Sequence, residues 1–497
     1  MSCPINEMPQ HFDPQIAKSQ GEKIVAVNTF DGLFKLDENG QAQKCAVKDY
    51  KVSPDGLVYT FYLYDNVEYY ISKVTKSFIE DQGAQIDVKV TAQDFAFGIT
   101  RAILPETNAP EYELLNAIKN AENVHNGTMT ASNLGVRVVD NYTLEITLER
   151  KSDDFLFALT QPVSYPCDEE FFNLTAGRYG LERKYTLSNG AFYLSDIVEN
   201  ESVRFSNNTD YKGQFKATPT SVRLYVNSDQ IDASEKINKG DYSTGFLTSK
   251  NAIVELNKKV TRINFQNITT SLIFNLSNEK MQNHNLRAGL VESVTLSTLA
   301  ESTANNLIPS AIKYSTEKAL VLATNVDSAR EKLKTAFNEL KIDNLTIDIL
   351  CTAEYEDMAK NIVSCWQQNI GVELNGTVTV IEQKDFDSKI KNGTYTTAIY
   401  PLTVNSNRAV DFLGMFKSDS NSNISRYSSE EYDRMYNEFK LSPLENRATE
   451  CQTYLLKNAI VMPVADENSV FAVAKDVTGV YCAFDSSNIY FYKGYTK

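Results

Sequence analysis

The stretch Leu134-Gly-Val-Arg-Val-Val-Asp-Asn-Tyr-Thr-Leu-Glu-Ile-Thr-Leu148 predicts a β-hairpin. Asp140-Asn141 lies at its turn, where short polar side chains favour the reversal of the chain. Beyond the turn, apolar residues alternate with polar ones, which is the period of a strand with one buried face. The segments on either side of the hairpin carry further strand signals and also helix signals.

Upstream of the hairpin, Ser53-Pro-Asp-Gly56 predicts a turn that leads into a strand over 57–63. Thr91-Ala-Gln-Asp94 is typical of a capping box, and Phe95, Ile99 and Ile103 follow at helical spacing. We expect a second hairpin around Asn189-Gly190. This half of the chain is therefore rich in strands.

Downstream, Leu345–Leu350 predicts a strand, and a helix is expected from about Tyr355 to Gln368, stopping before Gly371. Ser428-Ser-Glu-Glu431 predicts a capping box that opens a helix through Phe439. Strands and hairpins thus come first and strand–helix–strand units later, which predicts an α/β or α+β chain of several lobes. No internal repeat or low-complexity linker interrupts it.

The composition bounds the function. The chain has 497 residues, 42% of them hydrophobic and 23% charged, with a formal net charge of −15. Such a chain buries sizeable cores and divides into two or three lobes. The negative charge disfavours a nucleic-acid partner and a polybasic membrane surface, because both need basic groups. No run of 18 apolar residues occurs, so no transmembrane helix is predicted.

The N-terminus and the cysteines do not decide in which cellular compartment the protein lies. Met1–Asp13 has neither a positive n-region nor an apolar h-region, as in a cytoplasmic protein or in a mature secreted domain without its signal. The seven cysteines form no CxxC pair, and we expect most of them to be buried thiols. The alternative for Cys3 is a lipid-anchor cysteine. The cysteines are Cys3, Cys45, Cys167, Cys351, Cys365, Cys451 and Cys482.

Catalytic motifs are not evident. The three histidines are widely separated, and no GxSxG, HExxH, Walker or GxGxxG pattern occurs, so the sequence gives no grounds for a cofactor or a metal site. Asp168-Glu169-Glu170 is interpreted as a solvated charge run, with a carboxylate pair for glycoside hydrolysis as the alternative. The chain holds 27 Tyr and 25 Phe beside the single Trp366, and these aromatic rings either form core or line a ligand cleft.

Six segments in the expected order carry a family pattern. They are Asn28-Thr-Phe-Asp-Gly-Leu-Phe-Lys-Leu-Asp-Glu-Asn-Gly40, Val52-Ser-Pro-Asp-Gly-Leu-Val-Tyr-Thr-Phe61, Val90-Thr-Ala-Gln-Asp-Phe95, the hairpin Leu134–Leu148, Asn189-Gly-Ala-Phe-Tyr-Leu194 and Tyr427-Ser-Ser-Glu-Glu-Tyr-Asp433. Together they resemble the extracellular solute-binding proteins of ABC importers, peptide/nickel class (family 5), and most closely the oligopeptide-binding branch. Each motif alone is weak, but six in order over nearly the whole chain are specific.

The resemblance implies an α/β fold of the three-lobed periplasmic-binding-protein type (class II, cluster C) with a hinged interlobe cleft. Lobe I would comprise 1–45, 166–255 and 466–497, lobe II 46–165 and lobe III 256–465. The resemblance also implies a monomer, an extracytoplasmic location at the cell surface or in the periplasm, and a lipid-anchored precursor. Partners would be a peptide or small-molecule ligand and the permease subunits of an ABC transporter, with no nucleic acid.

The chain departs from the family pattern in two places. Between Asn66 and Val90, a longer segment replaces the family's short GVKWSDG loop, and we expect residues 71–87 to be a peripheral surface insertion. In the segment 393–405, the family aspartate that pairs with a peptide's free α-amine falls on Asn405, a tryptophan on Leu402 and an arginine on Ile399. A helix-start histidine falls on Tyr355.

The resemblance therefore implies a set of ligand-binding residues and no catalytic ones. The set is Asp31, Tyr112, Tyr355, Gln383, Tyr400, Leu402 and Asn405. The expected function is capture of an oligopeptide or similar small polar solute and its delivery to an ABC permease, without chemistry. The alternatives are a secreted carboxylate-dependent hydrolase and a non-transport sensor on the same fold.

Overall fold

A computed structural model describes residues 1–299, 302–304, 306–315, 324–371, 373–404, 406–441, 443–484 and 486–497. The chain divides into two compact units. Unit 1 comprises Met1–Leu247, Ala252–Ile263 and Phe471–Lys497, and unit 2 comprises Thr248–Asn251 and Asn264–Val470. The five lobe segments expected from the sequence stay a prediction.

Unit 1 contains two four-stranded sheets and a set of short helices. The strands up to residue 247 are β1 Ser2–Ile5, β2 Phe34–Leu36, β3 Ala42–Lys44, β4 Val47–Val52, β5 Val58–Leu63, β6 Val136–Asp140, β7 Thr143–Thr147, β8 Phe192–Val198, β9 Ser202–Asn207, β10 Ser221–Val226 and β11 Thr244–Leu247. The α-helices are α1 Gln20–Thr29, α2 Lys73–Asp81, α3 Ala92–Ile103, α4 Ala121–His125, α5 Phe155–Ala158, α6 Glu169–Leu174 and α7 Gln230–Lys239.

The sheets of unit 1 run in the orders β1-β10-β9-β8 and β4-β5-β7-β6. Strand β1 is parallel to β10, and the other neighbours in these sheets are antiparallel. The second sheet packs its apolar face against α3, because Phe61, Leu144 and Ile146 share one core cluster with Phe95 and Ile99. Along β7, buried residues alternate with partly exposed ones. The predicted hairpin of β6 and β7 is therefore confirmed.

Unit 2 is built on a mixed sheet flanked by helices. Its elements, with those at its boundaries, are α8 Lys250–Glu255, β12 Thr261–Phe274, α9 His284–Glu292, α10 Val326–Leu340, β13 Leu345–Cys351, α11 Glu356–Ile370, β14 Leu374–Val380, α12 Gln383–Asn392, β15 Thr397–Leu402, α13 Ala409–Gly414, α14 Glu430–Leu441, α15 Glu445–Lys457 and β16 Val461–Val473. Short strands β17 Val477–Thr478, β18 Tyr481–Cys482, β19 Ile489–Tyr490 and β20 Tyr495–Thr496 complete unit 1.

The sheet order is β11-β16-β12-β15-β13-β14, with β13 parallel to both β14 and β15 and β12 antiparallel to β15. The unit boundaries at 263/264 and 470/471 fall inside β12 and β16. Each of these long strands therefore contributes residues to both units.

Several sequence predictions are confirmed locally. Thr91 and Asp94 form a reciprocal capping box at the start of α3. Helix α11 follows β13, and its C-cap is Gly371 at φ 104°, a conformation that favours glycine. Six of the seven cysteines are buried and Cys365 is partly buried, and none of these seven described residues forms a disulfide.

Three local predictions are wrong. Asn189-Gly190 is not a hairpin turn, because the β8–β9 reversal lies at 199–201 and Gly190 instead lets the chain pass against Thr29, where a Cβ would meet backbone at 2.7 Å. Helix α14 is capped by Ser429, whose hydroxyl accepts from the backbone N–H of Tyr432, so the predicted box is displaced by one residue.

The third correction concerns the segment 71–87, which is not a peripheral loop. It contains α2, whose Phe78 and Ile79 are buried in the core cluster of unit 1. Ser72 caps this helix by accepting from the backbone N–H of Thr75 at 3.2 Å. Among the described residues, no helix is long and apolar enough to cross a membrane.

Candidate functional site

Asp31 lies in the interior of unit 1 and is 2% exposed. Its Oδ1 is 3.0 Å from Lys35 Nζ, and its Oδ2 accepts a hydrogen bond from the Tyr211 hydroxyl. The Asn189 side chain accepts from the backbone N–H of Asp31 at 3.0 Å and donates to its carbonyl at 2.9 Å. These contacts engage both carboxylate oxygens, the backbone N–H and the carbonyl of Asp31.

Lys35 is a buried cation held by its surroundings. Burial alone would lower the pKa of Lys35, but the adjacent Asp31 carboxylate outweighs it and the pKa is raised. The ammonium also lies 5.5–5.9 Å from the ring centroids of Phe215, Tyr490 and Tyr492. Asp31 and Lys35 therefore form a buried ion pair within the core.

Tyr112 begins the 3-10 helix Tyr112–Leu115 in unit 1 and is half-buried. Its ring stacks on His125 with centroids 3.5 Å apart and an interplanar angle of 12°. His125 Nδ1 lies 2.8 Å from the carbonyl oxygen of Ile103, which fixes the imidazole. Burial, with Glu113 and Glu122 nearby, raises the pKa of Tyr112, so its hydroxyl stays neutral and available as a donor.

Tyr355 stands immediately before α11 in unit 2 and joins a polar cluster. Its hydroxyl donates to Glu467 Oε2 at 3.1 Å, and the Thr270 hydroxyl donates to the same oxygen at 2.6 Å. Thr270 comes from β12 and Glu467 from β16, so the sheet and the start of the helix together position the carboxylate. Burial, with the charges of Glu467 and Glu354, raises the pKa of Tyr355.

A second carboxylate adjoins this cluster. Glu354 Oε1 accepts from the backbone N–H of Lys250 at 2.5 Å, and its Oε2 accepts from the Ser249 hydroxyl at 3.3 Å. Burial raises the pKa of Glu354 despite that backbone hydrogen bond, and the Glu467 charge raises it further. Neutral donors make the hydrogen bonds to both carboxylates, and the Lys250 charge partly offsets the repulsion at Glu354.

The remaining predicted residues lie on or near β15. Tyr400 is half-buried and stacks on Phe386 of α12 with centroids 6.2 Å apart, and Gln383 at the start of α12 is exposed, donating to Asp387 at 2.8 Å. Leu402 is a core residue at 1% exposure. Asn405 lies outside the described residues.

Ile399, where the resemblance places an arginine, is fully buried in a core cluster of unit 2. Its strand partner is Leu272 of β12, while Tyr400 is opposite Ser271 and Leu402 opposite Thr269. The apolar identities of Ile399 and Leu402 are thus explained by core packing of β15. They offer a ligand no polar group.

The structure brings Tyr400 and Gln383 onto neighbouring elements and places Tyr355 with two acids that the sequence prediction missed, Glu467 and Glu354. One feature of the sequence could have identified Glu467. Asp466-Glu467 interrupts an otherwise mostly apolar strand, and charged side chains inside such a strand need an interaction partner or a functional role. Burial raises the pKa of Asp466 to about 6. Within the described ranges, no group of three or more His, Cys, Asp or Glu side chains could hold a metal ion.

Comparison with known proteins gives the family. Residues 14–424 match the sequence model of the bacterial extracellular solute-binding proteins, family 5 (middle). A dipeptide-binding protein of Lactococcus lactis is 24% identical over 466 residues, covering 87% of this chain and 81% of that protein. The periplasmic oligopeptide-binding protein of Salmonella typhimurium is 23% identical over 460 residues, covering 86% and 78%.

Solved structures share the fold. Listeria monocytogenes OppA bound to peptide has a TM-score of 0.77 at 20% identity, covering 100% of this chain and 99% of that one. The Escherichia coli murein tripeptide binding protein also has a TM-score of 0.77 at 20% identity, covering 100% and 98%. These likenesses show the periplasmic-binding-protein fold that the sequence predicted. With the family match over most of the chain, they identify this protein as a member of the bacterial extracellular solute-binding proteins, family 5.

Proposed function

We propose that this protein captures a peptide or a similar small polar solute outside the cytoplasm and passes it to the permease subunits of an ABC importer. The family match over residues 14–424 carries the proposal. The names of its relatives support the solute class, since they are described as binding dipeptides, oligopeptides and a murein tripeptide. The protein does this as a monomer and without a catalytic step.

The proposed ligand surface of unit 2 is the Tyr355–Glu467–Thr270 cluster. Tyr400 pairs with Ser271 and so lies on the opposite face of the β12–β15 pair from Thr270, and with Gln383 it is proposed as a separate contact. Tyr400 and Gln383 keep part of their surface exposed, and the cluster offers hydroxyl and carboxylate groups with fixed geometry. Sites of this class combine aromatic walls with a few placed polar groups. Tyr112 of unit 1, which is half-buried, is proposed on its own as a ligand-binding residue.

A lipid anchor on the precursor is also part of the proposal, and the burial of Cys3 favours an attachment point other than this cysteine. Cys3 lies in β1, is 0% exposed, and its thiol donates to the carbonyl of Pro4. A thioether-linked lipid has no room at a fully buried position in a sheet.

Native mass spectrometry of freshly purified protein tests the function, followed by thermal shift with a panel of di- to pentapeptides. We expect a retained small solute and a higher melting temperature with matching peptides, because a ligand that binds only the folded state stabilises it. The same peptides, recovered after incubation, should be intact. Cleaved peptides would support a hydrolase. If no peptide raised the melting temperature, peptides would not be the solute of this protein.

A further inference from the structure

A pocket of about 420 Å³ lies at one end of the sheet of unit 2. Three segments line it: residues 278–281 between β12 and α9, residues 345–346 at the start of β13, and Thr396 just before β15. Its volume falls within the range of small-molecule sites in proteins. These seven residues are termed the Thr346 pocket.

The Thr346 pocket is separate from the candidate site at Tyr355. Strand β13 runs from Leu345 to Cys351, and Tyr355 follows its far end. A strand rises about 3.3 Å per residue, so the five steps from Thr346 to Cys351 span about 16 Å. A small solute in the pocket therefore does not contact the Tyr355 cluster.

The pocket has an apolar base and polar walls. Met281 and Leu345 at the base are 0% and 2% exposed and belong to a core cluster of unit 2. Glu279, Lys280 and Thr346 in the walls are exposed. The pocket therefore opens to solvent through its polar residues.

Hydrogen bonds hold the lining segments in place. The Asn275 side chain donates to the carbonyls of Gly393 at 2.9 Å and Tyr395 at 2.8 Å, and its backbone N–H donates to the carbonyl of Thr396 at 3.0 Å. The segment after β12 is thus tied to the segment before β15. Asn278 Oδ1 accepts from the backbone N–H of Lys280 at 3.1 Å, which shapes the turn itself. Such preorganisation lowers the cost of ordering the site when a ligand binds.

Arg287 lies under the same turn. It is 4% exposed, and its Nη1 donates to the carbonyls of Met281 at 2.6 Å and Gln282 at 3.0 Å. Its other donors bind the carbonyls of Asn458 and Ala459, so no carboxylate pairs with it in the described part of the chain. Burial lowers the pKa of Arg287 to about 10, which leaves it positively charged at neutral pH. A positive charge without a carboxylate partner therefore adjoins the base of the pocket.

Four side chains of the walls have no partner within the protein. Over the residues that the structure describes, the side chains of Glu279, Lys280, Thr346 and Thr396 make no hydrogen bond or ion pair. One carboxylate, one ammonium and two hydroxyls are therefore available to a solute.

The chemistry of these groups selects a small zwitterion. Lys280 and the underlying Arg287 are positive and Glu279 is negative, so a carboxylate is the favoured anchor and an ammonium can pair with Glu279. Among the described lining residues there is a single carboxylate, too few for a calcium or magnesium site. The same residues include no aromatic ring on which a sugar or a base could stack.

We propose that the Thr346 pocket binds a free amino acid. Lys280 and the hydroxyls of Thr346 and Thr396 hold the α-carboxylate, and Glu279 pairs with the α-ammonium. The site is additional to the ligand surface at Tyr355, so a bound amino acid does not compete with the captured solute.

NMR on the full-length protein, isotope-labelled at threonine, tests this site. Titration with alanine should move the amide signals of Thr346 and Thr396, which Thr346→Ser and Thr396→Ser assign, with a dissociation constant of about 1 mM or lower. Alaninamide lacks the carboxylate and N-acetylalanine lacks the ammonium. Each should bind about tenfold more weakly than alanine, because one charge-assisted contact is lost.

Exposed variants separate the two charges. Lys280→Gln should weaken alanine binding by about tenfold, and Glu279→Gln should weaken binding of alanine but not of N-acetylalanine. Lys334→Gln is the matched control, since Lys334 is an exposed lysine of α10 outside the pocket. It should bind alanine as the unmodified protein does.

Tyr355→Phe distinguishes the pocket from the proposed function. It alters the candidate ligand surface and should leave alanine binding at the pocket unchanged, so either site can fail while the other stands. Alanine that left the signals of Thr346 and Thr396 in place would overturn the proposal. Equal affinities for alanine and alaninamide, or an unchanged affinity in Lys280→Gln, would overturn it as well.

Discussion

The Tyr355 hydroxyl donates to Glu467 Oε2 across 3.1 Å, joining the residue before α11 to the middle of β16. The Thr270 hydroxyl donates to the same oxygen, so the carboxylate remains held if Tyr355 loses its hydroxyl. Tyr355 is thus a donor whose removal leaves the strands in register. That makes it a sensitive probe of whether this cluster contacts solute.

Tyr355→Phe should weaken peptide binding by about tenfold, or about 1.4 kcal/mol. The free energy of unfolding should fall by only about 1 kcal/mol, the net contribution of one hydrogen bond. Calorimetry with a peptide found by thermal shift, together with urea unfolding, measures both quantities.

Tyr395→Phe is the matched control for this change. Tyr395 is also buried in unit 2, and its hydroxyl donates to the carbonyl of Ile424, outside the proposed ligand surface. This variant should lose similar stability and keep its affinity. Equal affinities for both variants would remove Tyr355 from the ligand surface.

Lys35→Met should destabilise the fold by about 3–5 kcal/mol, because it leaves the Asp31 carboxylate buried without its cation. Adding Asp31→Asn should recover part of this loss, since the amide still accepts from Tyr211 and carries no charge. Urea unfolding measures each step. Lys239→Met, which breaks an exposed pair with Glu235, should change stability by less than about 1 kcal/mol.

If the double variant were no more stable than Lys35→Met, the loss would come from packing of the lysine stem rather than from the unpaired charge. If Lys35→Met lowered the free energy of unfolding as little as Lys239→Met, the buried Asp31–Lys35 pair would not stabilise the fold.

Phe78→Ala should cost about 3 kcal/mol, because it leaves a cavity between α2 and the rings of Phe171 and Tyr185. Val74→Ala on the exposed side of the same helix should cost about 0.5 kcal/mol or less, since Val74 is 41% exposed. Chemical denaturation of the two variants compares them. A similar small loss of stability in both variants would mean that the segment 71–87 is a peripheral insertion.

The sequence predicted those elements whose signals are local. The Asp140-Asn141 turn, the box at Thr91 and the stop at Gly371 each depend on a few neighbouring residues, and the structure confirms them. The prediction failed at Asn189, because its role is to bind the backbone of Asp31, 158 residues away. No local pattern encodes such a partner.

The candidate site was predicted less completely for the same reason. Position relative to family motifs selected Tyr355, but only the strand pairing of the folded sheet brings Thr270 and Glu467 to it. Asp31 as a ligand-binding residue stays a prediction; in the structure its carboxylate contacts Lys35 and Tyr211, partners that the sequence did not predict. Leu402 as a ligand-binding residue likewise stays a prediction; the structure buries Leu402 and Ile399 in core clusters, which the resemblance alone does not reveal.

We predict that this protein does not hold a peptide through its free α-amine in the way usual for the oligopeptide-binding branch. The residue aligned with the acidic partner is Asn405, which accepts a hydrogen bond but offers no charge, and a buried ammonium without a charged partner costs several kcal/mol. Calorimetry with matched free and N-acetylated peptides should therefore give similar affinities. A loss of a hundredfold or more on acetylation, about 2.7 kcal/mol, would contradict the prediction and point to another acid, with Glu467 the first to replace by Gln. Asn405→Asp is the complementary variant: it should improve binding of the free-amine peptide and leave the acetylated peptide unchanged, because only the former carries a charge for the new carboxylate to pair with.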